Sequence, residues 1–346
     1  MSKEFSLSAS RIEEFNKCSL TYYYKYILKG PDESNDGAKR GSVCHDVFEV
    51  FIKEEYKDSV NQILNAKTIK EDKKLLEMVY ERIKHYELGE EDNKGNNNFN
   101  LIEEMILVGF SHDFYCEGAQ IDYENLEKRF KIESDNPKYN LVGLIDKPVI
   151  RDGKYEIYDY KSSSSKKVDK DLELSHQALS YGLYAMRVLN MDSWVKFVFL
   201  RFPEDPIQKV SYTKDMLEGF EYYLADMYER MSNFSEDDAF SNLAYDKGYP
   251  KDGTFSGAMC CGYAKYPNHK YPEKHKDPEK RGKPYFSCMC AFPFEYYVAL
   301  NENGEIVKSS KNEQDLAKYE RVEKKYWQGC PRKTNTKEFE EWVLNQ

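Results

Sequence analysis

The run Gly143-Leu-Ile-Asp146-Lys-Pro-Val-Ile-Arg-Asp152-Gly153-Lys-Tyr-Glu-Ile-Tyr-Asp159-Tyr160-Lys161 decides the fold. Two segments rich in β-forming residues, 141–150 and 154–161, flank Asp152-Gly153, a dipeptide that strongly signals a hairpin turn. A third short run, 129–133, precedes them across an Asn136-Pro137 turn. A helix is expected next over 172–189, with Leu174, Ala178, Tyr181, Ala185 and Leu189 on one face. Strands over 194–202 and 207–212 follow, then a helix over 215–231. Helices and strands in this order imply an α/β core around a mixed central sheet.

Working outward, the N-terminal part reads as mostly helical. Ser10 suits an N-cap with Glu13 three residues on, and Ile12, Phe15, Tyr22, Tyr23 and Tyr26 form an apolar stripe. After a turn-rich break at 31–39, a second helix starts near Gly41 and carries Val43, Val47, Phe48 and Phe51. Helical periodicity returns over 75–86 and 102–114, with a polar loop over 93–100. Three parts are expected: a helical N-terminal layer over 1–120, an α/β core over 121–238, and a Cys-, Lys- and Tyr-rich extension over 239–346. No internal repeat is visible.

Composition narrows the classes. Of 346 residues, 40% are hydrophobic and 15% aromatic, enough for a sizeable core. Charged residues reach 32% and mean hydropathy is −0.81, so a membrane protein is not expected. No apolar leader opens the chain, and eight cysteines are too few for a disulfide scaffold, which together point to a soluble protein of the cytoplasm. A net charge of −10 argues against holding polyanions by bulk attraction, while leaving room for a local basic groove beside an acidic metal site.

The chemistry sits between Gly41 and Tyr181. An acid-x-base triplet alone means little, since 61 acids and 51 bases give about nine by chance. Asp159-x-Lys161 stands apart because it lies on an expected strand, directly after a hairpin whose first strand carries Asp146. Residues 159 and 161 share one face of that strand, and Asp146 on its neighbour can reach the same face. Two converging carboxylates suit Mg²⁺ or Mn²⁺. A lysine beside them can stabilise a developing phosphorane or hold a metal-bound hydroxide. That set suits phosphodiester hydrolysis.

Five motifs then fall in order: Ser8-Ala-Ser10 with Cys18-Ser-Leu-Thr-Tyr22-Tyr-Tyr, Gly41-x-x-x-His45, Gly143-x-Ile145-Asp146, Asp159-x-Lys161 and Gln177-x-x-x-Tyr181. On these the chain resembles the PD-(D/E)XK nuclease superfamily, in particular its RecB-type branch, which includes RecB and AddB nuclease domains, CRISPR-adaptation nucleases and phage exonucleases. The resemblance covers roughly residues 8–202. It implies a restriction-endonuclease-like core and a metal bound by Asp146, Asp159 and the Tyr160 carbonyl, with Lys161 serving the attacking water. His45 would add a ligand from the helical layer, and Gln177 and Tyr181 would position the lysine or the DNA phosphate. Glu127 stands where some members carry an extra acid.

Each residue taken singly has a plainer reading. His45 fits an ordinary core helix, Asp146 a strand end before Pro148, Lys161 the start of a solvated serine loop, and Tyr181 an apolar stripe. Gly41 and Gly143 could mark only a turn and a close packing contact. The ordered conjunction favours the nuclease.

The last quarter carries Cys260, Cys261, Cys288, Cys290 and Cys330. In some RecB-type nucleases one N-terminal cysteine joins three C-terminal ones around an iron–sulfur cluster, and Cys18 matches the first. The C-terminal spacing departs from that pattern. A [4Fe–4S] cluster, a Cys₄ Zn²⁺ site and thiols packed as small hydrophobes all stay open. Cys44 and Cys116 read as core. Residues 265–283, with seven Lys or Arg against three acids, suit either a strand or duplex backbone or a solvated insertion.

The expected activity is Mg²⁺- or Mn²⁺-dependent hydrolysis of single- or double-stranded DNA, more exonucleolytic than sequence-specific, in repair, recombination or phage DNA processing. The partners would be recombination or replication proteins. Two rivals stand: a nuclease-fold binding or assembly subunit that cuts little, and a CRISPR-adaptation-type nuclease that trims prespacers.

Overall fold

A computed structural model of the chain describes residues 5–31, 36–92, 95–167, 169–241, 274, 289–331 and 344. Its helices are α1 (Ala9–Lys17), α2 (Ser19–Tyr22), α3 (Asp36–Phe51), α4 (Lys57–Ala66), α5 (Lys73–His85), α6 (Asn98–Ser111), α7 (Asp169–Glu173), α8 (His176–Tyr184), α9 (Lys214–Ser232) and α10 (Glu236–Ser241). The strands are β1 (Gln120–Ile121), β2 (Lys128–Asp135), β3 (Lys138–Ile145), β4 (Lys147–Arg151), β5 (Lys154–Lys161), β6 (Ser193–Phe199), β7 (Ile207–Val210), β8 (Phe294–Leu300), β9 (Ile306–Ser310) and β10 (Val322–Trp327). The chain divides into two compact units, one of Met1–Ala9 with Ser34–Glu229, the other of Ser10–Glu33 with Arg230–Gln346. No helix among the described residues is long and apolar enough to cross a membrane.

The first unit is the α/β core with the mixed sheet that the sequence implies. Its five strands run β1-β4-β5-β6-β7, with β5 and β6 parallel and the other pairs antiparallel. The β5–β6 pair is parallel because α7 and α8 intervene as a crossover. On one face, Tyr158 and Tyr160 pack into a cluster with Phe48 and Phe51 of α3 and Met105 and Phe110 of α6. On the other, Asp159 meets Tyr181 of α8. Strand alternation thus sends Tyr158 and Tyr160 to one layer and Asp159 and Lys161 to the other.

Four local features differ from the expected elements. The run 141–150 is two strands, not one: β3 pairs with β2 as a separate two-stranded sheet, while β4 joins the central sheet, and Asp146 is the residue between them. The expected helix over 172–189 is broken. Ser175 ends α7 and caps α8, its side chain accepting from the Ala178 N–H, and 185–189 winds as a π-turn. The loop expected over 93–100 ends early, because the Asn97 side chain caps α6 by accepting from the Asn100 N–H. Helix α4, unanticipated, buries Val60 and Ile63 from a short segment that is otherwise mostly polar.

In the second unit the three-stranded antiparallel sheet β10-β8-β9 packs around Leu20, Tyr23, Tyr24, Tyr296, Val298 and Trp327. Tyr24 meets Trp327 edge-on at 5.1 Å, and the Trp327 indole N–H donates to the Cys290 carbonyl at 3.1 Å. Cys290 is buried in this cluster, and Cys18 and Cys330 pack against it. Cys260, Cys261 and Cys288, with most of 265–283, lie outside the described residues. Cys44 and Cys116 are fully buried in the first unit, as core residues should be.

Candidate active site

The site is built at the C-terminal end of β5, where four chain segments meet. β5 supplies Asp159, Tyr160 and Lys161; the β3–β4 break supplies Asp146; α3 supplies His45; and α8 supplies Gln177 and Tyr181. Two glycines set the close approaches. A Cβ on Gly143 would fall 2.4 Å from the Phe130 ring, and one on Gly41 would fall 2.8 Å from Ser162 Oγ. The second contact keeps α3 against the end of β5, within reach of His45.

His45, Glu127 and Asp146 each offer a ligand atom, all within 4.8 Å of one another, and they are the one such group among the described residues. His45 Nδ1 faces Glu127 Oε1 and Asp146 Oδ2, each at 3.5 Å, while Nε2 lies 3.2 Å from the Tyr160 carbonyl. Asp146 Oδ2 also accepts from the Tyr160 N–H at 2.9 Å. Burial works against charge on His45, but the carboxylates of Glu127, Asp146 and Asp159 outweigh it and raise its pKa to about 9. Burial, reinforced by the charge of Asp159, pushes the Asp146 carboxyl well above the usual range. A proton on His45 therefore stands in this cluster where a cation would relieve the same carboxylate repulsion.

Asp159 is buried beside that group, in a net of its own. Its Oδ1 accepts from the Gln177 amide at 2.7 Å and lies 2.9 Å from the Tyr181 hydroxyl. The Tyr181 hydroxyl also sits 2.7 Å from the Leu144 carbonyl, so its single proton serves one of two acceptors at a time. Gln177 Oε1 accepts from Lys161 at 2.7 Å. Lys161 Nζ lies 2.7 Å from Asp159 Oδ2 without hydrogen-bond geometry, leaving Oδ2 a buried oxygen with no hydrogen-bond partner. Three grouped ligands, with a buried carboxylate oxygen beside them that is balanced by the Lys161 ammonium, fit a divalent cation.

The residues singled out for this site from the sequence fall in two adjoining groups, because Asp159, expected to share the metal with Asp146, is not part of the His45–Glu127–Asp146 group and pairs with Lys161 instead; Glu127 joins the first group by an unusual route. It precedes β2 with φ of +46°, the left-handed region, and its N–H donates to the Asp146 carbonyl at 3.2 Å. A non-glycine held there is strained, a feature that collects at functional sites. Sequence reasoning passed over Lys147. Its Nζ is buried, donates to the Phe114 carbonyl at 3.0 Å and lies 4.1 Å from the Tyr158 ring centre, among Phe114 and Tyr160 as well. Burial lowers its pKa. Lys147 lies inside an expected strand run, and the aromatic cage around it comes from two other segments, Phe114 and β5, so no local signal reveals it.

No curated protein matches the chain. Among solved structures, the crystal structure of a candidate exonuclease from Eubacterium rectale is similar at a TM-score of 0.40 and 15% identity, covering 64% of this chain and 77% of that one. The model of the PD-(D/E)XK nuclease superfamily matches residues 6–262, more than half of the sequence and all of the residues just described, and the chain belongs to that superfamily.

Proposed function

We propose that the protein is a Mg²⁺- or Mn²⁺-dependent deoxyribonuclease of RecB type that works from DNA ends. The observation that carries this reading is the junction of two groups: His45, Glu127 and Asp146 around one point, and Asp159, Lys161, Gln177 and Tyr181 bonded into one net beside it. His45, Glu127, Asp146 and the Tyr160 carbonyl would hold the cation, with Asp159 Oδ2 as a further oxygen. That cation supplies Lewis acidity toward the phosphoryl oxygens. Gln177 and Tyr181 fix one oxygen of Asp159 and so aim the other. Lys161, held by Gln177, presents its charge where negative charge grows in the transition state. The order of the five motifs, which resembles the RecB-type branch, supports DNA and end-directed cutting.

The reading extends to the cysteines. Cys18 and Cys330 pack against the apolar cluster that holds Cys290, and a thiolate centre, [4Fe–4S] or Zn²⁺, would draw on these with Cys260, Cys261 and Cys288; among the described residues the three sulfurs do not form a ligand group by themselves. Partners in recombination, replication or CRISPR adaptation belong to the same proposal.

The test is a panel of 5′- and 3′-labelled single- and double-stranded DNA and RNA with Mg²⁺ or Mn²⁺. Progressive shortening of DNA from one end is expected. DNA that is bound and left intact in both metals would favour a binding or assembly subunit instead.

A further inference from the structure

We propose that Lys167 holds a phosphate of the nucleic-acid strand next to the one that is cleaved, while Lys161 meets the charge that develops on the cleaved one. This rests on the nuclease reading above and specifies how the same site takes its substrate.

The parallel register sets Phe197 of β6 opposite Asp159 of β5, so the Phe197 ring projects from the same face as Asp159 and Lys161. Lys161 Nζ lies 5.4 Å from the centre of that ring, and Lys167 Nζ also lies 5.4 Å from it. The two ammonium groups are therefore no further apart than twice that distance. Phe197 is fully buried and cannot swing away, so the ring acts as a fixed spacer.

Both lysines are tied to one short stretch of chain. Lys167 Nζ donates to Ser175 Oγ at 2.9 Å, and Lys161 Nζ donates to Gln177 Oε1 at 2.7 Å. Ser175 is buried and caps α8, the helix whose Gln177 also touches Asp159. The Lys167 carbonyl accepts from Gln208 Nε2 at 2.9 Å, which pins its backbone to β7. Both lysines are half-buried. Lysine binds phosphate as a point charge, tolerant of geometry, and each phosphate neutralised releases counterions.

The test measures binding of fluorescent DNA oligonucleotides over a range of salt concentrations, with EDTA present, for the wild type, Lys167→Ala and Lys167→Arg. The alanine variant is expected to bind several-fold more weakly, with a salt slope smaller by about 1, and the arginine variant to recover both. On the wild type itself, neutral methylphosphonates are placed one at a time around the cleaved bond. One flanking position should weaken binding in the wild type and leave Lys167→Ala unaffected. A wild type that binds and cuts, beside a Lys167→Ala protein with the same slope and the same methylphosphonate profile, overturns this proposal alone. A wild type that neither binds nor cuts nucleic acid in Mg²⁺ or Mn²⁺ removes the nuclease reading and this proposal with it.

Discussion

Gln177 is the joint of the site, and replacing it tests whether the net has catalytic weight. Its amide donates to Asp159 Oδ1 at 2.7 Å and to the Tyr181 hydroxyl at 2.9 Å, and its carbonyl accepts from Lys161 at 2.7 Å. Gln177→Leu removes all three contacts without adding charge. Two of them involve a charged group, each worth about 1.5–3 kcal/mol. Expression of one of them in the transition state lowers the single-turnover rate by roughly 10- to 150-fold. Gln177→Glu keeps the acceptor for Lys161 but sets a second carboxylate against Asp159. At a few ångströms and an effective dielectric near 20 the repulsion is about 4 kcal/mol, offset in part by Lys161. The glutamate variant should therefore be slower than the leucine variant by a further factor of about ten or more. The assay is cleavage of end-labelled DNA at saturating enzyme, with thermal unfolding run on each variant to confirm folding. Equal rates for wild type and Gln177→Leu, or a glutamate variant faster than the leucine one, would refute the reasoning.

Three further outcomes follow from the geometry. Without added metal, Tm should fall as pH rises from about 6.5 to 9, because folded His45 keeps a proton until about 9 that the unfolded chain loses near 6.5. The raised Asp146 carboxyl slopes the same way at lower pH, and the gain in Tm on adding Mn²⁺ should grow with pH as the cation replaces these protons. Gly143→Ala drives a Cβ to 2.4 Å from the Phe130 ring, which is itself packed on Tyr184 at 4.7 Å. Overpacking of about 1–3 kcal/mol should lower Tm by roughly 2–10 °C, and a second substitution, Phe130→Leu, should restore part of it. Cys18→Ser should lower metal content and Tm together in anaerobically purified protein, with about four irons lost for a cluster or one zinc for a Cys₄ site; a variant as stable as wild type, from a protein holding neither metal, would remove the centre.

The core could be read from sequence where a signal is local. Asp152-Gly153 fixes the β4–β5 hairpin, with both residues at positive φ, and alternation along β5 sends Asp159 and Lys161 to one face. What escaped was set by partners far along the chain. Asp146 lies within what reads as one run of β-forming residues, and nothing nearby says that β3 will pair with β2 while β4 turns to β5. Ser175 splits a continuous helical stripe because its hydroxyl caps α8. The grouping of Ser10–Glu33 with Arg230–Gln346 depends on packing of Tyr23 and Tyr24 against Tyr296 and Trp327, which no spacing encodes. Glu127 carried only a positional hint, while its left-handed backbone and its place beside His45 are properties of the folded chain.

The most direct measurement compares wild type, Asp159→Ala and Lys161→Ala in single-turnover cleavage of labelled DNA, with DNA affinity measured in parallel. The wild type should cut in Mn²⁺ or Mg²⁺ and stop on EDTA, since the cation supplies the Lewis acid. Asp159→Ala should cut nothing, and Lys161→Ala should lose several orders of magnitude in rate while keeping its DNA affinity, because the lysine acts mainly in the transition state. Cleavage by Asp159→Ala at the wild-type rate, or cleavage unaffected by EDTA, would contradict the site assigned here.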